Sequence, residues 1–290
     1  MKTILKMFAL YLALFAFVSC SDDEDPSENF TVTAISPESA TVGTEITITG
    51  TNFPTDASRI VLKVGGAMAT ITNVSSTQIV ATVPQGAVSG AVSVSVSGTA
   101  KMTSNEFTVL SELVNAKVEN IFAPQTGGRG QPVGGPFTKF SFEAGEVTDS
   151  DTKWDIAFRG LTIAVNGGTI TGTIDEPERN GNGGATIVEG IFSEVTSSQD
   201  ITFAQDADGV FAIPTGSNNG WYNYNFMTNL VTAIPGRILV FRTHDGKVAK
   251  VEILSYYQNA PANPDGSADP SRYYTFNYVY NPNEGETSLQ

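Results

Sequence analysis

Apolar and polar positions alternate with a period of two through most of the chain beyond residue 30, and the strongest instance spans residues 235–257. Residues 237–243 are β-branched and aromatic, Asp245-Gly246 offers the positive-φ pair of a tight primed turn, and residues 248–254 return with the same alternation. Ala249, Val251 and Ile253 fall on one side of the returning strand, with Lys250 and Glu252 on the other. The pattern predicts a half-buried antiparallel hairpin.

Before this hairpin, short strands are predicted over 32–35, 45–50, 60–64, 69–73, 78–83, 91–96 and 105–109, punctuated by Gly43, Pro54, Gly65-Gly66, Pro84 and Gly98. Seven short strands with turn residues at such intervals point to a small β-sandwich over residues 30–110. Residues 111–117 read as a polar junction with room for a turn of helix. Strands then resume at 137–142, 154–158, 161–165, 169–174, 185–192, 209–213, 221–225 and 273–280. No stretch of twelve residues carries a 3.6 period, so residues 116–283 are expected to form one antiparallel β domain, and 284–290 a flexible tail. The fold class is all-β.

The first thirty residues follow another pattern. Lys2 and Lys6 precede an uncharged apolar run at 7–17, too short to span a bilayer, and the run ends in Phe17-Val18-Ser19-Cys20. Residues 1–19 read as a signal peptide, and the ending resembles the lipobox of bacterial lipoproteins, which makes Cys20 the lipidation site. Acyl chains on the chain's one cysteine would hold the protein to a membrane. Residues 20–29, rich in Asp, Glu and Ser with a proline, are an acidic tether that cannot bury a core. The stretch resembles the export signal that sends lipoproteins to the outer face of the outer membrane, so a lipid-anchored, cell-surface location is expected.

Composition narrows the chemistry. A net charge of −14, more negative once Lys2 and Lys6 leave with the leader, argues against nucleic acid as a partner. There is one histidine, His244, and no Gly-x-Ser-x-Gly elbow, so no enzyme activity is expected. Gly127-Gly128-Arg129-Gly130 lacks the Lys-Ser/Thr of a phosphate loop. Asp206-Ala207-Asp208-Gly209 and residues 263–269 lack the distal glutamate of a calcium loop and read as turns, so no metal is expected beyond a haem iron.

Two resemblances sharpen this outline. Ile35-Ser36-Pro37, residues 43–53 (GTEITITGTNF) and Val83-Pro84 resemble the IPT/TIG immunoglobulin-like module, which commonly serves as a spacer. Trp154 to Gly160 (WDIAFRG), residues 215–225 (TGSNNGWYNYN), the hairpin and residues 271–280 (SRYYTFNYVY) together resemble the HmuY family of haem-binding surface lipoproteins. That resemblance implies haem held between two histidines or two methionines on pocket-forming loops. After residue 110 the chain offers one of each, Met227 and His244, which become the haem-ligand candidates, with Trp221, Tyr222 and Tyr224 as pocket candidates. Met227 also suits a flexible filler beside its aromatic neighbours, and His244 a solvated turn. Haem capture with an incomplete axial set is thus the leading expectation. The alternative is a glycan or a surface protein partner, taken on Tyr and Trp faces with Asn and Asp nearby, Tyr256 and Tyr257 among them.

Overall fold

A computed structural model describes residues 29–128 and 130–290, so the signal peptide, Cys20 and all of the tether but Asn29 lie outside the described residues. The chain forms two compact units that divide between Val109 and Leu110. Both are built of strands, and the one helical element named among the described residues is the 3₁₀ turn Ala57–Arg59.

In the first unit, a four-stranded antiparallel sheet runs in the order Thr31–Ser36, Glu45–Thr51, Gln78–Thr82, Thr70–Val74. A five-stranded sheet runs Ser39–Thr41, Thr99–Leu110, Gly90–Val96, Ile60–Val64, Ala67–Met68. Period-two patterning does what it predicts: Ile46 and Ile48 from one sheet, and Leu62, Val64, Val92, Val94 and Val96 from the other, share one buried cluster. Phe30, Phe53 and Phe107 are buried in the same cluster, which leaves no exposed ring among the described residues of this unit to serve as a sugar platform.

The second unit is organised by a five-stranded antiparallel sheet in the order Val114–Phe122, Ser271–Asn281, Val248–Tyr257, Arg237–Arg242, Gly184–Glu189. A four-stranded sheet, Glu146–Val147, Thr138–Ser141, Ile156–Arg159, Thr162–Val165, supplies the other half of the main core. Phe140 meets Phe276 edge-on at 5.4 Å, and Phe158 packs on Tyr274 at 4.5 Å, so aromatic pairs join the two sheets.

Several sequence expectations change here. Residues 111–117 contain no helix; Val114–Phe122 is an edge strand whose Val114 pairs with Tyr280 and whose Phe122 pairs with Tyr273. The central hairpin is buried on both faces rather than one. Val195 and Leu289 cover Ile238, Val240 and Val248, and Lys250, expected to face water, is only 2% exposed. Its ammonium donates to the carbonyls of Phe192 (2.6 Å) and Val195 (2.8 Å), and burial lowers its pKa. The turn is also longer than predicted. Thr243 N–H bonds Lys247 O, and only Gly246 has positive φ (95°), so three residues close the loop in place of a primed Asp-Gly pair.

Residues 169–174 and 209–213, read as strands, are loops. The Glu176 carboxylate accepts from the backbone and hydroxyls of both Thr171 and Thr173, taking the N–H groups a ladder would need. Asp206 accepts from Ala212 N–H, and Ala207 and Val210 close a turn on each other. The 284–290 segment is not a free tail either: Leu289 is fully buried, and the backbone of 287–289 bonds to Thr196 and Ser198.

Candidate functional site

Trp221 and Tyr222 open a small hairpin, Tyr222–Asn225 paired with Leu230–Ala233, and fix it to the core. Trp221 donates through Nε1 to Leu161 O at 3.1 Å and lies 5.2 Å from the Tyr274 ring. Tyr222 accepts from Gly216 N–H, and burial raises its phenol pKa. Both are core residues, so these two pocket candidates support the site from beneath rather than line it. Tyr224, the third, projects from the same face two residues further on, beyond the core: it is 40% exposed, and its hydroxyl donates to Asn229 Oδ1 at 3.0 Å. At the tip, Phe226 and Met227 are 77% and 79% exposed, with Met227 N–H held by Asn225 Oδ1.

Beside this hairpin lies a cleft of about 470 Å³. Tyr224, Asn229, Tyr257, Ser267, Gln125 and Arg272 are among the residues lining it. The backbone around it is irregular. The Val248–Tyr257 strand slips register at Ser255, its neighbours slip between Val118 and Ile121, and Asn120, Asn229, Asn259, Ala260 and Arg272 all have positive φ. For asparagine that conformation costs little; for Arg272, at φ 71°, it costs about 1–3 kcal/mol. Arg272 O accepts from Ala123 N–H and its guanidinium donates to Gln125 O at 2.7 Å, which holds the strained residue in place. Tyr257 OH accepts from Val231 N–H at 2.9 Å, and Tyr256 is kept a phenol by burial, against the pull of Arg272.

His244 lies elsewhere. It follows Arg242 at one end of the sheet, whereas Tyr257, which lines the cleft, ends the strand ten residues long that starts at Val248. At about 3.3 Å per residue the two ends are about 30 Å apart, so His244 and Met227 cannot face one iron. The His244 ring is instead claimed by Asp155, 2% exposed: Nδ1 lies 2.7 Å from Oδ1, which also accepts His244 N–H, while Oδ2 accepts from Phe142 N–H. Gly181 packs so close that a Cβ there would fall 2.7 Å from His244 Cβ. Asp155, His244 and Asp245 could geometrically surround a cation. Their oxygens are already used, however, and the Lys247 ammonium sits 2.8 Å from Asp245. The trio clasps the hairpin loop to the four-stranded sheet.

Of the tyrosines expected as binding rings, Tyr224, Tyr256 and Tyr257 border the cleft, but Tyr256 and Tyr257 are buried and Tyr224 alone of the three is exposed; Arg272 and Gln125 are not among the expected residues. The signal for Arg272 was present: a cation inside an aromatic run, Ser271-Arg272-Tyr273-Tyr274, in a strongly acidic chain.

Residues 31–109 match the IPT/TIG domain, and residues 135–278 match the HmuY protein family. Among solved structures, a Tannerella forsythia apo HmuY analog is 14% identical, with 60% of this chain and 99% of that one covered at a TM-score of 0.40. An auxiliary nutrient binding protein of Bacteroides thetaiotaomicron is 14% identical, at a TM-score of 0.29 over 78% of this chain and 57% of that one, so the chain spans little more than half of it. Another auxiliary nutrient binding protein, from Bacteroides ovatus, is 14% identical over 91% of this chain and 86% of its own, with a TM-score of 0.29. No curated protein matches the chain.

Proposed function

We propose that this chain, an IPT/TIG module followed by a HmuY-family domain, is a surface lipoprotein that binds its ligand in the cleft beside Tyr257 and Arg272 and performs no chemistry on it. The ligand that the family implies is haem. One observation carries the reading: the hairpin that lines the cleft with Tyr224 and Asn229 also holds Met227, 79% exposed, at its tip. An exposed thioether on that hairpin can bind iron without disturbing the fold. His244, about 30 Å along the sheet and bound to Asp155, is withdrawn from the ligand set. Met227 would then be the one of the two candidates left to hold the haem iron, and a neutral thioether would favour Fe(II).

Titration of the purified protein with haem in both redox states tests this. Binding is expected to be stronger with ferrous haem, with a spectral signature lost in Met227→Ala and kept in His244→Ala. Tight ferric binding that disappears in His244→Ala would refute it. A second reading rests on the lining itself: hydroxyl, amide and guanidinium groups beside the exposed Tyr224 ring suit a sugar, with CH groups on the ring face and hydroxyls on the polar atoms. Failure of haem to bind in either state, with oligosaccharide binding lost in Tyr224→Ala, would establish that reading instead.

A further inference from the structure

Arg272 is the only charged side chain among those lining the cleft, in a protein whose net charge is −14. Half-buried, it differs from Arg179, an enclosed guanidinium with charged partners. Arg179 is neutralised by Glu176 and Asp206, both at 2.9 Å, while Arg272 reaches a neutral carbonyl on Gln125 and the phenol of Tyr256. A planar fork of five donors matches the two oxygens of a carboxylate, and the two contacts named here do not use all five. The residue is also held at φ 71°, a strained backbone that Ala123 and Gln125 fix and that aims the side chain from the sheet's irregular end.

We propose that the cleft is a carboxylate-recognition site in which Arg272 binds an acid group of the ligand while the Tyr224 ring, the exposed one among the lining tyrosines, packs on the ring that carries it. This rests on the reading of the cleft as the ligand site and names the feature by which a ligand is chosen. The shared chemistry is a carboxylate on a ring scaffold, and it has two sources: a propionate of a tetrapyrrole or the acid group of a sugar acid. Loss of one charge-assisted contact should weaken binding about tenfold or more.

Two matched pairs of probes separate the sources in the full chain: ferrous haem against its dimethyl ester, and an oligogalacturonate against the neutral oligogalactose. The wild type should bind the acid of at least one pair about tenfold more tightly than its uncharged counterpart. That preference should vanish in Arg272→Gln and survive in part in Arg272→Lys. If the haem pair fails and the sugar-acid pair shows the preference, haem capture falls and the carboxylate site stands. Equal binding of acid and neutral probe in both pairs, or a preference undiminished in Arg272→Gln, overturns the proposal. Should Arg272→Gln not fold, the acid-against-neutral contrast in the wild type and the Lys variant still decide.

Discussion

His244 makes its pairing with Asp155 a source of pH dependence. The hydrogen bond to Asp155 raises its pKa above the ordinary value, against the opposing effect of burial, with Asp245 and Glu143 adding to the rise. A group whose folded pKa exceeds its unfolded value contributes stability that is complete below the unfolded pKa, about 6.5, and that fades as pH climbs through the folded one. The urea midpoint of the wild type should therefore exceed that of His244→Ala by more at about pH 6 than at about pH 8. A constant difference between the two proteins across that range would show that the clasp works without the charge. Glu176 lies at the other extreme: burial pushes its carboxyl up, but the hydrogen bonds from Thr171 and Thr173 win and hold it at about 2, ionised throughout this window. Neither partnership is legible in the sequence. His244 and Asp155 are 89 residues apart, and nothing local distinguishes a clasped histidine from a solvated turn.

Strands were legible where local pattern and tertiary context agree. The segments at 60–64 and 78–83 alternate cleanly because each has one wet face. Val114–Phe122 was missed because it is an edge strand, where Asn115, Lys117, Glu119 and Asn120 face water and leave only Ala116, Val118 and Ile121 to mark the core. Lys250 misled in the opposite sense, since alternation cannot show that residues 192–203 and Leu289 come back to cover the second face. The edge strand sets a boundary that can be checked. A fragment beginning at Ser111, which exchanges two hydrogen bonds with Asn283, should unfold cooperatively by itself. One beginning at Ala123 lacks the strand and exposes the Ser271–Asn281 edge, so it should lose the sharp transition or aggregate. Equal stability of the two fragments would remove Val114–Phe122 from the folding unit.

At the scale of the molecule, architecture was the most legible property. Two all-β units with separate cores follow from turn spacing and period-two pattern, and the two stretches that match family models are those whose short residue blocks carry the resemblances. The cleft was not, because its lining joins Gln125 and Leu161 to residues 224–231 and 256–272, stretches far apart in the chain. The proposed anchor belongs to this scale as well. Lipid on Cys20 should carry the whole chain to the membrane, so Cys20→Ala is expected to abolish labelling by a radiolabelled fatty acid and release the protein to the soluble fraction; unchanged retention would sink the lipoprotein assignment.

The antiparallel pairing of the first and last long strands of the second unit has a mechanical side. Val114 enters beside Tyr280, while Arg272, at the start of the partner strand, lies at the other end near Phe122. A chain tethered through its N-terminus and tugged by a ligand in the cleft is thus loaded along these two strands in opposite directions. Their hydrogen bonds share that force in shear, as many at once as the ladder contains. Traction between residues 111 and 283, which sit together at the Val114 end, would instead peel the same ladder open one bond at a time. With the tether and the ligand placed as we propose, the ladder meets the load in shear, the geometry in which its bonds act together.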